Sequence, residues 1–112
     1  MNRSTVIKSS DQITDIFNTG VRYSSGLVRI LIKKHDEQRD HSGRVAFIAG
    51  KKLGNAVVRN HDKRLLRAAA FSCGLPLDGY DVLIMATPKT GGVKSTEVAD
   101  ALGRLIEKAG LR

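Results

Sequence analysis

The first pattern in the chain is that of a helix. Apolar residues recur at the spacing of one helix face at Ile13, Ile16 and Phe17. Ser9 stands where its hydroxyl can accept a free amide of the first turn, and Gly20 follows the last turn. We therefore predict a helix of about ten residues, because helices of this kind end at such glycines. The polar and basic residues 1–8 before it are predicted to form a mobile arm.

A strand pattern follows between residues 27 and 34. Apolar side chains alternate there with a second, largely basic set, and a repeat of two residues is that of a strand. The first set is Val28, Ile30 and Ile32, and the second is Arg29, Leu31 and Lys33. This split predicts a sheet that helices cover on one face only, with a positively charged open face.

Three more segments have strand character. Residues 21–25 suit a short strand, and 81–86 suit a buried one. Residues 44–49 are apolar on both faces, which favours a central position in the sheet.

Two further helices complete the pattern. Residues from 56 onward suit a helix that Gly74 ends, and an apolar stripe beyond Ser95 or Thr96 predicts a last helix. The order is helix, three strands, helix, strand, helix. We predict a single domain over residues 1–112, of the α+β class, with one mostly antiparallel sheet and three helices.

The second predicted helix carries most of the chain's excess charge. Between Gly50 and Arg67, six cations stand against one acid, Asp62, in a chain of net charge +8. Asn55 is a good N-cap for a helix that starts at the next residue. Helical geometry places five polar residues within about 140° of one another; they are Arg59, Asn60, Lys63, Arg64 and Arg67. The opposite, apolar side is predicted to hold Val58, Leu65, Leu66 and Ala69.

A row of cations on a helix is often only a solvated surface. Here the cations do not alternate with acids, so ion pairs along the helix do not account for them. Like charges four residues apart repel one another, and an anionic partner would offset that repulsion. The charge pattern therefore favours binding to a polyanion.

Composition narrows the class of partner. A pI near 10.1 indicates nucleic acid, and no apolar stretch approaches the length of a membrane span. We therefore expect no membrane partner. Aromatic residues make up only 4% of the chain, so base stacking can be only a small part of nucleic-acid binding. The lone Cys73 and the lack of a signal-peptide pattern favour the cytoplasm.

The sequence offers no catalytic constellation of its own. Nucleophile-elbow and phosphate-loop motifs are absent, and no carboxylate pair stands beside a nucleophile. His35 and His41 lack the further ligands that a metal site requires. We predict no catalytic residue, metal site or cofactor in the protein itself.

The run K-K-x-G-N-A-V-x-R-N-x-x-K-R-x-x-R, from Lys51 to Arg67, resembles the signature of the bacterial ribonuclease P protein component. The match is dense there and extends loosely over nearly the whole chain. The resemblance implies the fold of a ribosomal-protein domain, with a left-handed β-α-β crossover through the basic helix. Pattern reasoning alone would predict a right-handed one.

The resemblance also implies a function. In that family the RNA subunit performs the cleavage with Mg²⁺ and matures the 5′ end of transfer RNA. The protein binds that RNA and the 5′ leader of precursor tRNA, and we expect no protein partner. The implied RNA contacts are Lys51, Lys52, Arg59, Asn60, Lys63, Arg64 and Arg67. The implied leader cleft is lined by Ile13, Phe17, Arg29 and Leu31.

The chain departs from that family's pattern at several positions. Asp62 stands where an aliphatic residue is usual and His61 where a basic one is usual. Asp62 falls on the apolar side of the helix, which should cost stability unless it reaches solvent or pairs with Arg59. Thr87 stands where an arginine is frequent, and the cleft is poor in aromatic residues.

A second interpretation explains the charge equally well. The protein would then be a ribosomal or other structural RNA-binding protein with no role in cleavage. The lysine pair and the R-N-x-x-K-R-x-x-R helix after it favour the ribonuclease P interpretation.

Overall fold

The computed structural model describes residues 6–35 and 42–111. These residues form three helices, four strands and two single 3₁₀ turns. The helices are α1 (Ser10–Thr19), α2 (Ala56–Ser72) and α3 (Ser95–Lys108). The strands are β1 (Val21–Ser24), β2 (Val28–Lys34), β3 (Arg44–Ile48) and β4 (Tyr80–Ala86), and the 3₁₀ turns are Lys51–Leu53 and Thr90–Gly92. The predicted α+β class and element order are confirmed.

The four strands form one sheet in the order β1-β2-β4-β3. The pairs β1–β2 and β2–β4 are antiparallel, whereas β3 and β4 are parallel and joined through α2. The sheet is therefore mostly antiparallel, as predicted. The left hand of the crossover stays a prediction.

The predicted central position of the third strand is wrong, because β3 lies at an edge of the sheet. Its apolar character has another cause, which is that both of its faces are covered. Val45 and Phe47 pack in the core with α2 and α3, and Ala46 packs in a second cluster with α1. A strand sequence that is apolar on both faces thus indicates that both faces of the strand are covered, and it does not indicate where the strand lies in the sheet.

The main core lies between the sheet and the pair α2 and α3. Strand β2 contributes its predicted apolar set, and the neighbouring strands contribute residues of the same face. Its largest fully buried members are Val28, Ile30, Val45, Leu66, Val82, Ile84, Val98, Leu102 and Ile106.

The second face of the sheet is not fully open, which corrects the prediction of a sheet covered on one face only. Helix α1 lies across it, and Ile16 is buried together with Leu31, Ala46 and Leu83. Asp15 of α1 forms an ion pair with Lys33 of β2. The reason is that Leu31 interrupts the basic set, and its apolar side chain needs cover.

The N-terminal segment is also less free than predicted. Val6 forms a parallel bridge with Val45, the amide of Ile7 donates to the Val45 carbonyl at 2.6 Å, and Ile7 is buried beside α1. The prediction of a mobile arm over residues 1–8 is therefore wrong for Val6 and Ile7. Residues 1–5 lie outside the described residues.

The start of α2 matches its sequence signals. Gly54 has a φ of +144°, which favours glycine, and the Asn55 side chain accepts from the Val58 amide at 3.0 Å. The start of α3 differs from the prediction, since Ser95 and Thr96 both lie within the helix. The backbone amide of Lys94, the residue before α3, donates to the Glu97 carboxylate at 3.2 Å. In the described parts of the chain, no helix is long and apolar enough to cross a membrane.

Candidate nucleic-acid interface

The structure places the seven predicted RNA contacts on α2 and the 3₁₀ turn before it. Lys51, Lys52, Asn60, Arg64 and Arg67 are exposed, whereas Arg59 and Lys63 are half-buried. The six cations among them form no ion pair with any carboxylate of residues 6–35 and 42–111. We call these seven residues the charged face. Its charge is therefore available to an external anion.

Two arginines of the charged face also contact the protein. The Nε of Arg59 donates to the carbonyl of Ala49 at 3.0 Å, just beyond the end of β3. The guanidinium of Arg67 lies over the ring of Phe47, 5.6 Å from its centre. These contacts hold two planar cations in place, which reduces the conformational entropy that binding would cost.

The buried side of α2 is rotated from its predicted position. Leu66, Ala69 and Ala70 are buried, but Leu65 is only half-buried and Val58 is 40% exposed. The fourth buried residue of the helix is Asp62, which is 2% exposed. The stripe 62, 66, 69, 70 has regular helical spacing, so the acid occupies a core-facing position.

Asp62 neither reaches solvent nor forms an ion pair with Arg59, the two conditions under which its place on the apolar side would cost little stability. Its side chain is shielded from solvent, and its Oδ1 has no hydrogen-bond partner in the described chain. The oxygen lies against the turn Thr90–Gly92, and a Cβ added to Gly91 would be 2.6 Å from it. A glycine at 91 therefore leaves the space that the carboxylate occupies.

The leader cleft keeps three of its four predicted residues at the surface. Arg29 is exposed, Phe17 is 37% exposed and Ile13 is half-buried. Leu31 corrects the prediction, because only 1% of it is exposed beneath α1 and Ile7. Leu31 therefore offers no surface to a ligand.

Strand register adds residues that sequence reasoning missed. Arg29 is directly opposite Met85 and Ser24, and Arg22 is opposite Leu31. Directly opposite residues project from the same face, so Arg22 and Met85 share the face of Arg29. The alternation within residues 81–86 indicates which of these residues share one face of their strand, but only the pairing of the strands shows that this is the face of Arg29.

Phe71 is a second residue that sequence reasoning missed. It is 72% exposed on α2, one helical turn after Arg67. With Phe47 and Arg67 it lines a cavity of about 390 Å³. An exposed ring beside a cation offers a stacking surface for a nucleobase.

Three polar residues at the other end of the sheet, of which His35 and Asp81 are buried and Arg44 is half-buried, form a compact cluster. Arg44 binds the Asp81 carboxylate with two hydrogen bonds of 3.0 and 2.8 Å, and His35 Nε2 lies 2.7 Å from Asp81 Oδ1. His41 lies outside the described residues. Within the described chain, no group of three or more metal-ligating side chains comes together.

Two buried threonines connect the β4–α3 loop to the β1–β2 turn. The Thr87 hydroxyl donates to the Gly26 carbonyl at 2.7 Å, and the Thr90 hydroxyl donates to the Leu27 carbonyl at 2.6 Å. The Thr87 amide donates to Thr90 Oγ1 at 2.8 Å. The departure at Thr87 thus has a structural role, because a long arginine could not make these short contacts.

Comparison with known proteins relates nearly the whole chain to one family. The family model described as Ribonuclease P matches residues 1–110. A ribonuclease P protein component from Clostridium novyi is 28% identical, with 99% of this chain and 98% of the relative covered. One from Pediococcus pentosaceus is 31% identical, with coverage of 99% and 92%.

Solved structures show the same fold. The RNase P protein of Staphylococcus aureus superimposes with a TM-score of 0.78 at 22% identity, covering 94% of each chain. That of Thermotoga maritima gives a TM-score of 0.74 at 22% identity, covering 91% of this chain and 94% of that one.

Proposed function

The chain belongs to the bacterial ribonuclease P protein family, and from this we propose that its charged face binds the catalytic RNA of that enzyme. As a protein component of ribonuclease P, it takes part in an endoribonuclease complex together with an RNA.

The observation that carries the proposal is the charged face itself. Six cations project from one turn and one helix, without an ion pair to the carboxylates of the described residues. Arginine guanidinium groups bind phosphate through paired N–H donors, and lysines add point charge. Asn60 can hydrogen-bond a phosphate or a base edge. The spacing suits a phosphate backbone that runs along the helix.

The leader cleft provides a separate surface for the substrate. Phe17 offers a ring face, Arg29 offers a cation, and Met85 lies beside Arg29 on the neighbouring strand. Single-stranded RNA is recognised by stacking together with phosphate contacts. We propose that the 5′ leader of precursor tRNA lies here, while the RNA subunit holds the mature tRNA.

In this proposal the protein carries no reacting group. Cleavage belongs to the RNA subunit and its Mg²⁺ ions, and the protein lowers the repulsion between two polyanions while orienting the leader. We expect the complex to work in the cytoplasm.

Reconstitution tests the proposal. The protein is added to a catalytic ribonuclease P RNA at low Mg²⁺, and cleavage of precursor tRNA is measured. We expect stimulation, because the charged face replaces part of the screening that Mg²⁺ provides. A lack of stimulation with every such RNA would contradict the proposal.

A further inference from the structure

We propose that a recess beside Asp62 binds one nucleotide of RNA whose base carries an exocyclic amino group, with Asp62 as the residue that recognises the base. This inference rests on the proposed function, and it adds a base preference to it. The recess has a volume of about 700 Å³ and lies between α2 and the turn Thr90–Gly92. We call it the Asp62 recess; the residues used below are Lys52, Leu53, Val57, Val58, Asp62, Arg64, Pro88 and Gly91.

The first observation is the unsatisfied carboxylate. Asp62 lines the recess, yet its buried Oδ1 has no hydrogen-bond partner in the described chain. An ionised carboxylate is an acceptor only, and leaving one without a donor in a buried place is costly. A ligand that displaces the turn Thr90–Gly92 and brings an N–H donor to Oδ1 would remove that cost. The protein is therefore arranged to gain from such a ligand.

The second observation is an exposed apolar wall. Val57 is 77% exposed and Val58 is 40% exposed, and both line the recess with Leu53 and Pro88. Neither valine belongs to the buried stripe of α2. The flat faces of a nucleobase are apolar enough to pack against such a wall, while its edge is polar.

The third observation is the charge at the rim. Lys52 and Arg64 line the recess, are exposed and form no ion pair with a described carboxylate. They are placed to bind the phosphate of a nucleotide whose base enters the recess. Both belong to the charged face, so the nucleotide would be part of the RNA bound there.

The three features together select the ligand. The rim cations would repel a free amine, and the carboxylate of Asp62 would repel a free phosphate. A nucleotide can satisfy both ends of the recess, because its phosphate and its base edge are several ångströms apart. Adenine, cytosine and guanine each carry an exocyclic amino group that can reach a recessed acceptor. In uracil the one ring N–H lies between two carbonyl oxygens, which the carboxylate would repel.

The test uses single-stranded RNA oligomers that differ at one position. An oligomer of nine uridines is compared with three others that carry adenosine, cytidine or guanosine at the centre. We expect the intact protein to bind at least one amino-bearing oligomer about 5-fold or more tightly than the all-uridine one, the lower end for a specific base contact. Asp62→Ala should remove that preference.

Three variants make the result specific. Asp100→Ala removes an exposed acid elsewhere, so it should change all affinities alike and keep the preference. Arg64→Ala should weaken every oligomer by the same factor. Gly91→Ala keeps the acid but crowds its Oδ1, so it should reduce the preference as Asp62→Ala does. Thermal melting checks that each variant is folded, and Asp62→Ile, which also removes both acceptor oxygens, replaces any Asp62→Ala protein that is not.

The inference is overturned if the intact protein binds all four oligomers alike, or if a folded Asp62 variant keeps the preference. Either result leaves the proposed function standing as long as the protein still stimulates a ribonuclease P RNA. Failure of that stimulation, with the base preference intact, would reject the proposed function alone.

Discussion

Arg59 and Ala49 are joined by a hydrogen bond of 3.0 Å, from the side-chain Nε to the backbone carbonyl. This bond ties the first turn of α2 to the chain just after β3. Arg59 therefore has two tasks, since its remaining N–H groups can still face RNA.

We expect Arg59→Ala to lower both stability and RNA affinity. Loss of the bond to Ala49 should lower the free energy of unfolding by about 0.5–1.5 kcal/mol. Loss of one phosphate contact should reduce the magnitude of the slope of log K against log salt concentration by about 0.7–0.9. Arg64→Ala is the matched control, because Arg64 is exposed and should lose only the salt-dependent part. Denaturant titration and salt-dependent binding measure the two effects; equal stability of both variants would remove the structural role of Arg59.

Asp62→Ile should stabilise the protein. The change removes a buried carboxylate whose Oδ1 has no hydrogen-bond partner among the described residues, and it places an aliphatic side chain in the stripe with Leu66 and Ala69. The free energy of unfolding should rise by about 1–3 kcal/mol. Thermal and denaturant unfolding measure it. Asp100→Ala, on an exposed part of α3, should change stability little. A less stable Asp62→Ile protein would mean that the carboxylate makes a favourable contact.

The leader cleft predicts a dependence on substrate. Phe17→Ala and Arg29→Ala should weaken binding of precursor tRNA that carries a leader and leave binding of mature tRNA almost unchanged. Leu31→Ala is the contrasting variant, because its side chain is buried. It should cost about 2–5 kcal/mol of stability and weaken both complexes alike. If leader length had no effect with the wild-type protein, the cleft would not bind the leader.

Phe71 predicts a contribution from stacking that salt does not screen. Phe71→Ala should weaken RNA binding by about 1–3 kcal/mol if one base stacks on the ring. Its salt dependence should match that of the wild-type protein, whereas Arg67→Ala should flatten it. The melting temperature should change little, because the ring is mostly exposed. Unchanged affinity for RNA would show that no base uses this surface.

The sequence predicted the local structure of α2 well. Asn55 caps the helix and the helix ends at Ser72, near the predicted Gly74, because both signals act through neighbouring backbone atoms. The sequence also shows that Asp62 falls on an apolar side of the helix. It does not show that Asp62 lies against Gly91, since the two residues are brought together only by the tertiary fold.

Non-local relationships were the part that sequence patterns could not determine. Leu31 was assigned to an open surface, because alternation alone does not show that α1 and Ile7 cover that part of the sheet. The edge position of β3 was missed for the same reason. Leu65 and Val58 lie nearer the surface than predicted, because the charges on the opposite side of α2 do not define the centre of its apolar side.

The two threonine hydroxyls have a mechanical consequence. Thr90 begins the turn that covers Asp62, and its hydroxyl is bonded to Leu27, the residue before the strand that carries Arg29. Thr87 bonds the adjacent carbonyl of Gly26. The roof of the recess and the start of β2 are therefore clamped together at two points. A ligand that displaces this turn therefore also pulls on the start of the strand that carries Arg29, so the two surfaces are expected to move together.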